Sequence, residues 1–342
     1  MRGIASSEIG MKKQIGYSPW IYRIALLTAG ATFFLIILGG IVTSTESGLA
    51  VPDWPTTFGY NMFTYPISEM VGGILYEHSH RLMGSLVGLL TITLLIMLLI
   101  MDSRSWIKWL GFSALIAVSI QGVLGGLRVT ELNINFAIIH ACLAQAFLAL
   151  LCGICWFTSR EWFEKQQPLP SNEQDTSGKK LRILSLITTI LIYVQLIFGA
   201  ILRHTGSRLD AHLLFAFLVA LHIGLLARRF FTSDEDSQNN RQKIGQTLPL
   251  LLLGLLAGQL ILGIGAFILR LTVVGENVSA LLTDIVTTSH VAVGAIMLIS
   301  SFVLTLKIYR ITYVNAEIET RNMLEYNNAN EQDLLSITSR PK

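Results

Sequence analysis

Four histidines stand at matching places in this chain. His80, His140, His212 and His290 are each followed four residues later by a small residue: Gly84, Ala144, Ala216 and Gly294. On a helix of about 3.6 residues per turn, positions i and i+4 share a face, so each imidazole has a bare patch one turn below it. A ligating side chain beside a place where no side chain intrudes suits a large flat ligand. Two such helices facing one another can hold one metal from opposite sides in a bundle core, and an iron porphyrin meets both requirements. A single histidine near a helix end is ordinarily a hydrogen-bonded or interfacial residue; the fourfold register is what argues for ligation. The other three histidines do not share it. His78 and His204 lie two and eight residues before a patterned histidine, where solvated-loop or substrate-mouth roles suit them, and His222 lies ten residues after His212, on another helix face.

Glu77 stands three residues before His80, about 60° round a helix, so the carboxylate and the imidazole are expected to look into the same bundle. A carboxylate there can take a proton or stabilise positive charge that develops during oxidation of a carbon beside an electron-rich ring. The bland alternative is an interfacial glutamate paired with Arg81 or set at a helix N-terminus. Arg81, Arg128 and Arg203 lie at the same level as the histidines. Guanidinium groups bind carboxylates such as haem propionates bidentately, and they also snorkel to lipid headgroups.

The elements that carry these residues belong in a bilayer. Hydrophobic residues make up 52% of the 342 and charged ones only 14%, where soluble domains hold about 25% charged. Apolar stretches long enough to cross about 30 Å of hydrocarbon run over residues 21–42, 71–101, 106–127, 136–157, 181–202, 209–230, 248–269 and 285–308. No barrel-type alternation appears, so the fold class is an all-α integral membrane protein with eight transmembrane helices. With the N-terminus, the connections after even helices and the tail on one side, that side holds 20 of the 25 lysines and arginines. The positive-inside rule then makes both termini cytoplasmic and puts the patterned histidines near the outer face. The basic residues mark topology; they form no nucleic-acid patch.

A polar, charged, Pro-punctuated stretch, "REWFEKQQPLPSNEQDTSGKKLR", divides the chain. It yields an N-terminal four-helix bundle over residues 1–159, a cytoplasmic linker at 160–182, a C-terminal four-helix bundle at 183–312 and a polar cytoplasmic tail at 313–342. A weak repeat runs through the odd helices: "LIILGG" at 35–40, "QGVLGG" at 121–126, "QLIFGA" at 195–200 and "QLILGI" at 259–264. The outer connection at 43–69 carries Trp54, Phe58, Tyr60, Phe63 and Tyr65 among prolines, the composition of an apolar lid or an aromatic belt.

Together "GGIVTSTESGLAVPDWP", "EHSHRLMGSLVG", "QGVLGGLRVT", "IIHACLAQ", "LRHTGSRLDAHLLFA" and "TTSHVAVGA" resemble the haem A synthase family, across nearly all eight helices. The resemblance implies two pseudosymmetric bundles. It implies a haem B cofactor on His212 and His290, with Arg203 beside it, and haem O as substrate near His80, His140, Arg81 and Arg128. It also implies Glu77 as the catalytic acid, and conversion of the ring D methyl of haem O to the formyl group of haem A for terminal oxidases. A haem O synthase and an electron acceptor are the implied partners, a homo-oligomer is compatible, and the implied location is the bacterial inner membrane. The chain departs from many bacterial relatives in its first outer loop, which has no cysteine pair; Val51 stands where a cysteine is often found. Cys142, Cys152 and Cys155 all lie on the fourth helix, and the C-x-x-C they include reads as core packing.

Paired histidines alone also suit a non-catalytic di-haem cytochrome that carries electrons from quinol. Glu77 beside only the N-terminal pair breaks the symmetry in the way an enzyme needs. A metal or proton transporter would place ionisable residues near the bilayer midplane, where His222 is the one candidate.

Overall fold

The computed structural model describes residues 17–164, 174–232, 238 and 244–338. Each expected apolar stretch forms a helix: α1 (Pro19–Ser44), α2 (Gly73–Met101), α3 (Ser105–Thr130), α4 (Ile134–Thr158), α5 (Gln174–Thr205), α6 (Leu209–Phe231), α7 (Thr247–Leu271) and α8 (Ala280–Thr338). All eight are long and apolar enough to cross a membrane, α8 doing so over Ala280–Ile311. Of the expected linker at 160–182, residues 165–173 lie outside the described residues; Arg160–Phe163 form one helical turn, and α5 already begins at Gln174. The expected tail is helical as far as Thr338, a continuation of α8, and residues 339–342 lie outside the described residues.

The helix ends follow local chemistry. Pro19 opens α1, where its missing N–H costs no intrahelical bond. The side chain of Asn133 caps α4 by accepting the Asn135 N–H at 2.9 Å. Three-residue connections, 131–133 and 206–208, turn the chain between α3 and α4 and between α5 and α6. Gly206 has φ +68° in the second of these, a conformation that glycine adopts at no steric cost. Such short connections make consecutive helices antiparallel neighbours.

Each half closes into a ring. α1 packs on α2, α2 on α3, α3 on α4 and α4 back on α1; α5 to α8 repeat the same circuit. Across the seam, α1 meets α8, α4 meets α5, and α4 meets α8. Large apolar side chains such as Leu89, Ile100, Trp109, Phe217 and Ile261 face outward, as a protein dissolved in lipid requires. Inside, hydroxyls abound. Thr28, Thr32, Thr91 and Thr188 return their hydrogen bonds to the carbonyl four residues back, and Thr189 joins Ser301 at 2.7 Å and Thr305 at 3.0 Å between α5 and α8. In hydrocarbon such hydroxyls need internal partners, and hydrogen bonds between helices contribute to association.

At the end that carries the patterned histidines the seam is polar and tight. Ser44 on α1 lies 3.1 Å from Thr287 and 3.2 Å from Thr288 on α8, and a methyl placed on Gly40 would meet Thr288 at 3.0 Å. Gly40→Leu is therefore expected to force α1 and α8 apart, at a cost of about 1–3 kcal/mol. Gly30 has nothing within 4 Å of its would-be side chain, so Gly30→Leu is expected to leave stability unchanged. Thermal unfolding of the detergent-solubilised variants checks the contrast; equal midpoints would contradict it.

Candidate functional site

Each patterned imidazole lies edge-on against a glycine of the preceding odd helix. A methyl on Gly39 of α1 would meet Cε1 of His80 at 3.0 Å; on Gly125 of α3, His140 at 3.4 Å; on Gly199 of α5, His212 at 3.3 Å; on Gly263 of α7, His290 at 3.1 Å. These are the fifth residues of the four repeated segments in the odd helices. The first residue of each segment, one turn earlier on the same face, sets its backbone carbonyl toward the ring: Leu35, Gln121, Gln195 and Gln259. For His140 this contact is a hydrogen bond of 3.1 Å from Nδ1 to the Gln121 carbonyl. Nδ1 of His80 and of His290 reaches no partner in hydrogen-bonding geometry.

The even helices then bring the rings together in pairs. His80 and His140 have ring centroids 6.4 Å apart at 70°. His212 and His290 repeat this at 6.3 Å and 67°. A metal–imidazole bond is about 2 Å long, so two rings facing one metal stand roughly 6 Å centre to centre, and both pairs have that span. Among the described residues no cluster of three or more histidine, cysteine, aspartate or glutamate side chains forms. A metal held by either pair takes its other ligands from outside the chain, as iron in a porphyrin does. Of the small residues below the histidines, Gly84 borders open space, whereas Gly294 is met by Leu196 and Gln259.

Glu77 is 4% exposed and turned to the outer loop. Its Oε2 accepts the Val51 N–H at 2.9 Å, and its Oε1 accepts from Arg81 at 2.7 Å. Arg81 also donates to the carbonyls of Val51, Asp53 and Thr56, at 2.9, 2.6 and 3.1 Å. The helix periodicity placed Glu77 beside His80. Arg128 lies within electrostatic reach of Glu77, His80 and His140. Arg128 crosses Gly48, and Trp54 lies on Gly126; a Cβ at Gly126 would overlap the Trp54 indole, and one at Gly48 would displace the end of the Arg128 side chain.

The arginines thus differ in what they hold. Arg203 donates across the seam to the Gly40 carbonyl at 2.8 Å and to Ser44 Oγ at 2.6 Å, and within its own half to the Thr287 carbonyl at 3.2 Å. Arg270, which the sequence did not single out, reaches the Ser44 carbonyl and Asp284. Arg128 makes no hydrogen bond to another described residue. His78, for which a solvated-loop or a substrate-mouth role was expected, is not solvated: it is 1% exposed, Nδ1 meets Thr57 Oγ1 at 3.1 Å, and its ring lies 5.2 Å from that of Tyr65. His204 lies within electrostatic reach of Arg128, Arg203 and His140. His222 bonds to the Leu218 carbonyl of its own helix. The three cysteines are free thiols.

A match to the COX15-CtaA family of cytochrome oxidase assembly proteins covers residues 22–211, more than half of the chain, and takes in His80, His140 and the Glu77–Arg81 pair. The chain belongs to this family. Among COX15-CtaA relatives, a heme A synthase of Exiguobacterium sibiricum is 30% identical over 192 residues, covering 54% of this chain and 61% of its own. A heme A synthase of Lysinibacillus sphaericus is 29% identical over 199 residues, covering 54% of this chain and 58% of its own. A heme A synthase of Listeria monocytogenes is 30% identical over 135 residues, or 38% and 41% of the two chains. The chain thus spans a little over half the length of the first two curated relatives it matches.

In this COX15-CtaA protein the loop that covers the N-terminal pair is organised by Asp53, which accepts hydrogen bonds from Thr56 Oγ1 at 2.5 Å, the Phe58 N–H at 2.7 Å and the Gly59 N–H at 2.8 Å. These bonds shape the hairpin of β1 (Thr56–Thr57) and β2 (Tyr60–Asn61). Burial pushes the Asp53 carboxyl up, and the bonds from Thr56, Gly59 and Phe58 outweigh it, holding the group below the usual carboxylate range. A carboxyl depressed on folding stabilises above its unfolded value of about 4, and the contribution is lost as pH falls through the folded value. Amide protection factors at Phe58 and Gly59 are expected to be high at neutral pH and to collapse in acid. Asp53→Asn should lower them at neutral pH and remove the pH dependence. Protection in the unsubstituted protein that stays level down to strongly acid pH would contradict this account.

Proposed function

We propose that this protein is a haem A synthase, which oxidises the ring D methyl group of haem O to the formyl group of haem A. The observation that carries the reading is the pair of equivalent imidazole clamps, each spanning 6.3–6.4 Å with no third protein ligand among the described residues. In this reading His212 and His290 hold a haem B cofactor, and His80 and His140 receive haem O. The kinship with heme A synthases supports it, and so does the difference between the halves. Among the described residues, the N-terminal pair alone has on its outer side a buried carboxylate, Glu77, and a guanidinium with no hydrogen bond to another described residue, Arg128.

The residues divide the work accordingly. Arg128 binds a propionate of the substrate, since its donors are free for a bidentate carboxylate contact. Arg81 and Arg203 were candidates for the same task; with their donors on loop and seam carbonyls, they hold the structure that frames the two sites. The bound porphyrins supply electron-transfer chemistry. Methyl-to-formyl oxidation releases protons and builds positive charge at the carbon next to the ring, and Glu77 stabilises that charge or accepts a proton. The loop carrying Trp54 covers the outer mouth, leaving an apolar, lipid-facing entry for the farnesyl-derived tail of haem O. The kinship with bacterial heme A synthases supports a bacterial inner-membrane location, and the distribution of basic residues supports sites near the outer face. A haem O synthase is the expected supplier; water or dioxygen provides the formyl oxygen, and an electron acceptor takes up the electrons removed from the methyl group.

Haem extraction and chromatography of the purified protein is the direct test. Haem B accompanied by unequal haem O or haem A is the expected result; equal haem B in both halves would favour a di-haem electron carrier. Glu77→Ala is expected to keep the C-terminal haem spectrum and stop haem A formation in cells supplied with haem O, and full production would remove Glu77 from the mechanism. Gly263→Val should push His290 from its place and abolish that spectrum, as His290→Ala should. Gly254→Val, with nothing within 4 Å, should leave it intact. Retained haem in the Gly263 and His290 variants would contradict the ligand assignment.

A further inference from the structure

The connection between α1 and α2, residues 45–72, carries two sets of side chains of opposite character. One set is tied to the protein. The carbonyls of Val51, Asp53 and Thr56 accept from Arg81, the Val51 N–H donates to Glu77, and Thr57 meets His78. Further along, Tyr65 is buried against the His78 ring, with Phe58 and Tyr60 packed on it at centroid distances of 6.0 and 5.8 Å. The other set is apolar and bare: Phe63, Ile67 and Val71 are 68%, 86% and 65% exposed. Glu69 is the one charged residue between positions 58 and 76.

Depth decides what such a surface meets. The 29 residues of α2 make about 43 Å of helix, which leaves about 13 Å for the two headgroup regions once about 30 Å of hydrocarbon is crossed. The loop does not stand above this helix. Its bonds go to Glu77, His78 and Arg81, four to eight residues into α2 and so about 6–12 Å below its start. That is the level where Tyr and Trp gather in membrane proteins and where apolar side chains enter the leaflet sideways. Below it, the exposed Leu75, Leu86, Leu89, Ile92 and Ile96 of α2 fall within about 120° of arc and form its lipid face. Val71 and Leu75 flank the start of the helix, so the bare surface of the loop adjoins that face.

We propose that residues 58–71 form an interfacial anchor: Phe63, Ile67 and Val71 are immersed in the lipid leaflet at the histidine-bearing end, and this immersion holds the loop down on Glu77, Arg81 and the N-terminal imidazole pair. Lipid is the occupant because the surface is apolar, lies at headgroup depth and continues a face that already meets lipid. The anchor belongs to the N-terminal half. Its counterpart in the C-terminal circuit, the connection between α5 and α6, is only residues 206–208. The inference rests on the membrane-spanning fold and is independent of which haem each pair holds.

The test places the photoreactive residue benzoylphenylalanine at position 63, 67 or 71, one at a time in the full chain, and illuminates membranes of the producing cells. The same probe at position 89, on the lipid face of α2, is the reference. Mass spectrometry should find phospholipid as the main adduct at all three loop positions, as at the reference. A second copy of the chain or another protein as the main adduct, or no adduct where the reference gives one, would overturn the anchor. The holding role is read by hydrogen exchange in phosphatidylcholine nanodiscs. The triple variant Phe63→Ser, Ile67→Ser and Val71→Ser should quicken exchange of the Val51 N–H by about tenfold, while the Leu148 N–H in the core of α4 keeps its rate. Val51 exchange at the parent's rate would overturn the holding role. Each photoprobe replaces a single exposed side chain, so the identity of the occupant is decided even where the triple variant fails to fold.

Discussion

The structure depends on imidazoles lying against bare backbone. Four times over, a histidine on an even helix lies over a glycine of the odd helix before it, close enough that a methyl group there would be crowded. This close approach fixes the spacing of each helix pair, and the spacing in turn sets where the ring nitrogens point. Protein interiors are dense and yield little, so a ring held in this way keeps one place. Two such rings per half give the matched spans of 6.4 and 6.3 Å.

Around this frame, charge is kept where it is fully bonded. Glu77 and Arg81 form an ion pair at 2.7 Å, with side chains only 5% and 11% exposed. Removing two charges from water is costly, and the cost is met when the remaining donors and acceptors are also satisfied. The outer loop supplies that satisfaction through the carbonyls of Val51, Asp53 and Thr56 and the Val51 N–H. The loop and the ion pair therefore define one another. Arg128 is the exception, a cation beside two imidazoles with no hydrogen bond to another described residue, and it gives the N-terminal site its chemical individuality.

Much of this was legible in the sequence, for reasons that can be named. The eight helices were readable because a run of about 20 apolar residues has few alternatives in a bilayer. Their ends extend past the apolar runs, as at Gln174 and Ala280, because helix continues where hydrophobicity stops. The histidine register was readable because it is periodic within single helices. The segments whose fifth residues are Gly39, Gly125, Gly199 and Gly263 aligned by sequence, but the contact those glycines make appeared only once the facing helices were in place. The arginine partners were not readable. Arg81 bonds to residues 25 to 30 positions away in a loop without periodicity, and that loop, more than helical phase, decides which way Glu77 and His78 turn.

Arg203 sits four residues after Gly199, the glycine beneath His212, and its guanidinium grips the carbonyl of Gly40, next to the glycine beneath His80. The bilayer around a transmembrane bundle thins and thickens, and helices respond by tilting. Here α1 and α5 cannot slide past one another without breaking that grip and the bond to Ser44. The offset between the two halves at this end is consequently written into a guanidinium rather than left to the lipid.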